Sequence, residues 1–368
     1  MDRPFVDRLH LQSYGCIEDA TLSLTRLHAL VGPNDSGKST VLRALRTLSL
    51  LCSPSSSRAL AEEQALSRAM TANTGKGPVV LEADVSGHQL RISCEGAANT
   101  SDWRFIAMTT ERPNYGERSW QGTDLFANAP LYEYLSSRGR GLMVARALAG
   151  SQLLRLEPEA LRSPHALIPS GQPLELRDAR GTGLPAIYDA LMVRDIDAFI
   201  ELRKSISGLF PNVHGISLVN ADVDKKAICV KLADGTLVPA EQMSEGLLYY
   251  LTFVALRHMN PVGMILIEEP ENGLHPARVV EIMRVLRAIS ETTQVIIATH
   301  SPIVVNELRG DEVTVMTRPA GQGARGVLIK DTPEFEERSK VYETGELWAS
   351  YANGIDEGPL VRGSSTQR

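Results

Sequence analysis

The sequence predicts an α/β fold with a mixed-sheet core, and three observations lead to this prediction. A glycine-rich loop at 32–40 lies between an apolar strand pattern, 27–31, and a helical pattern that runs to about residue 51. Two later apolar strand patterns, at 264–269 and 294–299, end next to acids and a histidine. The segment before the loop alternates between apolar and polar residues, which is typical of half-buried strands and predicts a β-rich N-terminal lobe.

The loop reads Gly-Pro-Asn-Asp-Ser-Gly-Lys-Ser-Thr, which matches the G-x-x-x-x-G-K-[ST] pattern of a phosphate-binding P-loop. Glycines let the backbone N–H groups wrap around phosphate oxygens, and the N-terminus of the following helix adds partial positive charge. Lys38 is predicted to reach the β- and γ-phosphates, and Ser39 to offer its hydroxyl to Mg²⁺.

Composition limits the class of protein. The chain has 368 residues, of which 43% are hydrophobic and 22% charged, which suits one large or two modest globular domains. The net charge of −6 shows no strongly basic nucleic-acid module in the totals, although a local basic face stays open. The four cysteines form no C-x-x-C pair, so neither a zinc site nor a disulfide framework is predicted.

The N-terminus has no apolar signal region, and no run approaches the ~20 apolar residues of a membrane span. We therefore expect a cytoplasmic protein without membrane contact.

The other elements follow from short periodic runs. Strands are predicted at 5–24, 78–94 (a hairpin), 213–219, 227–232, 313–316 and 326–330. Helices are predicted at 184–192, 195–209 and 247–256. We expect a single head over 1–368, with core motifs in 1–50 and 237–330, a β-lobe and helical insertion over 52–236, and a C-terminal helix and flexible tail over 331–368.

Three segments of the second half carry further chemistry. Ser244-Glu245-Gly246 starts a helix, where it can bind an anion or serve as an ordinary N-cap. At the end of an apolar strand, Glu268 can hold Mg²⁺ and the next carboxylate can orient or deprotonate an attacking water. His300 ends the last strand pattern, where it can contact a γ-phosphate or be a structural histidine.

Four motifs follow one another along the chain: the P-loop, Ser-Glu-Gly, Glu-Glu-Pro-Glu-Asn-Gly-Leu-His-Pro and Thr-His-Ser-Pro. In this order they resemble the motifs of an ABC-type ATPase head of the SMC/RecF/OLD group. The chain is most similar to small bacterial "AAA family" ATPases with an OLD-type core. The resemblance covers 5–50 and 237–316, and 180–236 more loosely. It implies a P-loop NTPase fold of ABC-head type that binds ATP and Mg²⁺. Two nucleotides would lie between the two copies of a homodimer, with higher oligomers left open.

The resemblance also implies a role for each matched residue. The catalytic residues would be Glu269, Lys38 and His300. The metal would be held by Ser39 and Glu268. A second subunit's ATP would meet Ser244 and Gly246, and the dimer interface would include 272–275. The nucleotide phosphates would be bound by Asn34, Asp35, Ser36, Gly37, Lys38, Ser39 and Thr40.

The sequence departs from the pattern of this group in three places. Asp35 puts a carboxylate in the P-loop where the group often has Asn-Gly. Tyr14 is followed by Gly15 instead of a basic residue, which puts a nucleotide contact there in doubt. The Q-loop glutamine cannot be placed, since none of the four candidates fits well: Gln64, Gln89, Gln121 and Gln152.

The chain has no heptad repeat for SMC arms, and the 68 residues after His300 are too few for the Toprim nuclease domain of OLD proteins. The resemblance therefore implies a slow ATPase switch that controls a nuclease or other effector in trans, as in bacterial anti-phage defence. Two alternatives stay open: a RecF-like repair clamp that binds DNA, and a nucleotide-binding scaffold with little turnover.

Overall fold

The computed structural model describes residues 4–53, 78–96, 103–111, 120–122, 141–259, 262–319, 321–332, 335–340 and 343–352. The chain forms two compact units. The first unit comprises residues 1–153, 262–269 and 290–368, and the second comprises 154–261 and 270–289. The expected division into a single head with an insertion at 52–236 stays a prediction.

Sixteen strands are numbered here in chain order over the described residues. They are β1 (Val6–Tyr14), β2 (Ile17–Ser23), β3 (Leu27–Val31), β4 (Val79–Val85), β5 (His88–Gly96), β6 (Trp103–Glu111), β7 (Trp120–Gly122), β8 (Gln152–Leu154), β9 (His165–Ala166), β10 (Val213–Asn220), β11 (Lys225–Leu232), β12 (Leu237–Pro239), β13 (Met264–Glu268), β14 (Gln294–Thr299), β15 (Val313–Thr317) and β16 (Arg325–Leu328).

Ten α-helices are numbered in the same way. They are α1 (Lys38–Leu51), α2 (Gly141–Leu148), α3 (Pro158–Arg162), α4 (Leu184–Arg194), α5 (Ile196–Leu209), α6 (Glu245–Leu256), α7 (Pro276–Ser290), α8 (Pro302–Asn306), α9 (Phe335–Arg338) and α10 (Thr344–Ala352). In the described part of the chain, no helix is long and apolar enough to cross a membrane.

Two six-stranded sheets build the first unit. The N-terminal sheet has the order β2-β1-β4-β5-β6-β7, and the core sheet has the order β16-β15-β3-β14-β13-β8. In the core sheet, β15, β3, β14 and β13 are parallel neighbours and their apolar residues are buried, as expected for a sheet covered on both faces. Apolar side chains from both sheets and from α1 form one buried cluster, so α1 is held in the core of this unit.

The predicted hairpin is confirmed, because β4 and β5 pair around a turn whose two residues, Ser86 and Gly87, both have positive φ. The strands at 213–219, 227–232 and 313–316 are also confirmed within a residue or two. Sequence patterns missed β6 to β9, which lie between the predicted hairpin and the helix predicted at 184–192.

The second unit contains a small sheet, β10-β11-β12, with β9 paired to β11. The helices α4 and α5 confirm the two predicted there, and Asp195 between them caps α5 by accepting a hydrogen bond from the Ala198 N–H at 3.0 Å. The helix α6 is apolar on every side and buried from Leu247 to Leu256, as expected for a central helix.

Candidate functional site

The P-loop connects β3 to α1 and is tightly packed at both of its framing glycines. A Cβ on Gly32 would lie 2.4 Å from the Met316 carbonyl oxygen, and one on Gly37 would lie 2.8 Å from the Ala324 Cβ. Gly37 also has a φ of 100°, a left-handed conformation that favours glycine. Both positions therefore require glycine, as the P-loop motif does at these two places.

Polar groups inside the loop suit an anionic ligand. Lys38 is only 8% exposed, and its ammonium donates hydrogen bonds to the carbonyl oxygens of Gly32 at 2.7 Å and Pro33 at 2.9 Å. The Ser36 hydroxyl is buried and has no hydrogen-bond partner among the described residues. A buried hydroxyl without a partner is unfavourable unless a ligand oxygen satisfies it, so these residues fit a bound phosphate.

The unusual aspartate of the loop has a partner. Asp35 has a φ of 65°, which aspartate tolerates better than most residues. Its carboxylate accepts a hydrogen bond from the guanidinium of Arg318 at 2.8 Å. Arg318 directly follows β15, whose parallel pairing with β3 brings its end beside the start of the P-loop. Sequence reasoning missed Arg318.

The catalytic candidates meet at the same sheet edge. The parallel register pairs Glu268 with Ala298, and Ala298 with Leu30. The ends of β13, β14 and β3 are therefore level, and the P-loop begins where β3 ends. Glu268, Glu269 and His300 are thus brought to the edge from which the P-loop starts.

Glu269 and His300 face each other at this edge. The Nδ1 of His300 lies 3.6 Å from the Oε1 of Glu269. Glu269 has a φ of 50°, a strained conformation for a residue with a side chain, and its N–H donates to the Ala298 carbonyl oxygen at 2.8 Å. The side chains of both residues are partly exposed, at 39% and 53%, so substrate and water can reach them.

Ser244 and Gly246 lie in the second unit, at the start of α6. The Ser244 hydroxyl accepts a hydrogen bond from the Leu247 N–H at 3.3 Å, so this residue is the N-cap of the helix. A Cβ on Gly246 would lie 3.5 Å from the carbonyl oxygen of Gly273, which belongs to the predicted interface segment 272–275. The two segments therefore pack together within the second unit, and their role at a neighbouring subunit stays a prediction.

Tyr14 is a core residue. It is fully buried, and its hydroxyl lies 2.9 Å from the Thr47 hydroxyl on α1. Gly15 is explained by close packing, because a Cβ there would lie 2.7 Å from the Thr40 Cγ2. The aromatic ring at this turn is therefore not free to stack on a nucleotide.

The Q-loop residue stays unplaced. Gln89 lies in β5 of the N-terminal sheet and donates to Glu82, while Gln152 is buried in β8. Gln64 and the side chain of Gln121 lie outside the described residues.

Known families and proteins resemble parts of this chain. A family model described as "AAA domain, putative AbiEii toxin, Type IV TA system" matches residues 144–306, and one described as "AAA domain" matches 5–61. An OLD nuclease from Thermus scotoductus (strain ATCC 700910 / SA-01) is 24% identical over 340 residues, which is 84% of this chain. The match spans 62% of the length of that curated relative.

Two solved structures share the fold. An SMC head bound to the C-winged helix domain of ScpA has a TM-score of 0.52 at 14% identity, covering 88% of this chain and 97% of that chain. An SMC head with an extended coiled coil, bound to the C-terminal domain of ScpA derived from Pyrococcus furiosus, has a TM-score of 0.52 at 13% identity, covering 92% and 100%. These likenesses confirm the predicted fold class.

Proposed function

We propose that the chain is an ABC-type ATPase head of the SMC and OLD group, which binds ATP with Mg²⁺ and hydrolyses the nucleotide. The observation that carries this proposal is the level ending of β3, β13 and β14. It places the P-loop, two glutamates and a histidine at one sheet edge, which is where α/β folds bind their ligands.

Each residue at this edge has a role in hydrolysis. Lys38 moves from the loop carbonyls to the β- and γ-phosphate oxygens and stabilises the negative charge that develops there. Glu269 orients the attacking water and accepts its proton, and His300 contacts the γ-phosphate. Ser39 and Glu268 would hold Mg²⁺, which would supply positive charge to neutralise the phosphates.

We also propose that ATP closes a homodimer. Ser244 and Gly246 of one copy would meet the phosphates bound by the P-loop of the other, so that nucleotide state and dimerisation are coupled. The closed dimer would switch a nuclease or other effector supplied by another chain, as in a bacterial defence system. The OLD nuclease relative supports the link to nucleases, and proteins that co-purify with the ATP-bound chain would identify the effector.

Phosphate release by the purified chain tests whether it hydrolyses ATP and whether Glu269 takes part. We expect Glu269→Gln to lower the rate of ATP hydrolysis at least about 100-fold, because the water loses its base, while ATP affinity is retained. The control is Glu291→Gln, which removes an exposed carboxylate before β14, away from the P-loop edge, and should keep the wild-type rate. Equal rates for Glu269→Gln and wild type would contradict the proposed mechanism.

A further inference from the structure

The main chain at His300 is a short link between two elements. The strand β14 ends at Thr299, and the five-residue helix α8 begins at Pro302. Within the link, the Ser301 N–H donates to the Thr299 hydroxyl at 3.0 Å. Helices this short have little stability of their own, so the direction of the His300 side chain depends on what packs against the link and α8.

The C-terminal helix α10 contacts both ends of this segment. At one end, the indole N–H of Trp348 donates to the His300 carbonyl oxygen at 3.3 Å. At the other end, the Asn306 side chain accepts the Gly345 N–H at 2.6 Å and donates to the Glu343 carboxylate. These contacts span the whole of α8.

The packing between α8 and α10 is close. Trp348 is only 2% exposed. A Cβ on Gly345 would lie 2.1 Å from the Pro302 carbonyl oxygen, so a side chain there would push the two helices apart. The helix α10 is therefore fitted against α8 by both shape and hydrogen bonds.

We propose that α10 positions His300 for its role at the nucleotide, and that Trp348 and Asn306 are the positioning residues. The inference rests on the proposed ATPase function. By fixing the carbonyl of His300, the indole fixes the peptide plane from which the imidazole projects toward Glu269. A change at α10 is then transmitted to the catalytic edge, which gives the C-terminal part of the chain a route to control hydrolysis.

The test uses the full chain and two variants. Trp348→Phe keeps an aromatic ring but removes the N–H donor, and Asn306→Ala breaks the contacts at the other end of α8. The matched control is Tyr188→Phe, which removes a buried hydroxyl that donates to the Leu251 carbonyl oxygen at 2.8 Å in the second unit. For each protein, kcat and KM for ATP are measured, together with amide hydrogen exchange of the peptide covering 300–306.

We expect both variants to lower kcat about 2- to 10-fold with little change in KM, because Trp348→Phe loses one hydrogen bond and Asn306→Ala loses two. Exchange should rise in 300–306 but not in α1 or α6, and Tyr188→Phe should change neither kcat nor this peptide. The proposal is overturned if both variants fold and keep wild-type kcat and exchange, or if exchange rises equally across the chain. If the wild-type chain releases no phosphate, the proposed function fails, and the exchange arm still decides whether α10 holds the His300 segment.

Discussion

At the residue scale, backbone strain coincides with the candidate chemistry. Over the described residues, four that are not glycine have positive φ, and two of these are Glu269 and Asp35 at the P-loop edge. Such conformations cost about 1–2 kcal/mol each for residues with a side chain. A glycine would relieve this strain at Glu269 but would remove the carboxylate that the proposed mechanism uses.

Replacing this glutamate separates stability from activity. We expect Glu269→Gly to abolish ATP turnover while leaving the free energy of unfolding unchanged or raising it by up to about 1 kcal/mol, because the backbone strain is relieved. Ser86→Gly, at a hairpin position with a φ of 49°, is the matched control and should leave turnover at the wild-type level. Thermal unfolding and phosphate release measure the two effects. A loss of stability in Glu269→Gly would argue against strain at this position.

The Asp35–Arg318 pair is expected to affect the affinity for ATP. Without Arg318, the Asp35 carboxylate would repel the phosphates, so Arg318→Ala should weaken ATP binding about 2- to 5-fold, the range for exposed charge pairs. The effect should shrink at high salt and be absent for adenosine, which has no phosphates. Titration calorimetry checks all three outcomes.

The double variant provides the control for this pair. Asp35→Asn removes the repelling charge, so Arg318→Ala should have little effect on ATP affinity in that background. An undiminished effect would mean that Arg318 acts on the nucleotide independently of Asp35.

At the element scale, the sequence predicted those elements whose signal is local. The strands β3, β13 and β14 and the helix α1 follow from apolar runs and motif order. By contrast, Arg318 pairs with Asp35 across 283 residues of chain, and no local pattern indicates that contact. The contact of Trp348 with His300 spans 48 residues, which is also too far for a local pattern to indicate it.

The strand β3 carries a buried histidine that should make stability depend on pH. His28 is fully buried, and its ring nitrogens lie 3.2 Å from the Thr25 hydroxyl and 2.8 Å from the Thr314 hydroxyl. Burial lowers the pKa of His28 from 6.5 to about 4, against the smaller opposing effects of Glu312 and Asp311. The folded state therefore favours the neutral ring.

The free energy of unfolding depends on pH because the folded and unfolded states bind a proton at His28 with different affinities. Above pH 6.5 the ring is neutral in both states, and the full stability is present. As the pH falls from 6.5 toward 4, only the unfolded state gains the proton, so we expect a loss of about 3 kcal/mol from this group across that window. Urea unfolding at several pH values measures it. His28→Gln should flatten the slope, whereas His214→Gln, which changes an exposed histidine, should not. An unchanged slope in His28→Gln would assign the pH dependence to other groups.

At the scale of the whole molecule, the candidate residues are divided between two units. The P-loop, Glu268, Glu269 and His300 belong to the first unit, while Ser244, Gly246 and the segment 272–275 belong to the second. In the proposed dimer, the first unit of one copy would work with the second unit of the other. Each site would then need residues from two chains, which makes the arrangement testable by mixing defective subunits.

Two inactive variants should restore activity when mixed. Lys38→Ala removes the phosphate contact of its own P-loop. Ser244→Arg blocks the contact that Ser244 and Gly246 would make with the nucleotide of the partner. Each variant alone should be inactive, because both sites of its homodimer are defective. In an equal mixture, half of the dimers carry one intact site of two, so about a quarter of the wild-type rate is expected.

Ser244→Arg also loses an N-cap contact worth about 1 kcal/mol, so its thermal unfolding is measured alongside. If both variants fold and the mixture stays inactive, Lys38 and Ser244 act within one chain, and the dimeric switch is wrong even if ATP is hydrolysed.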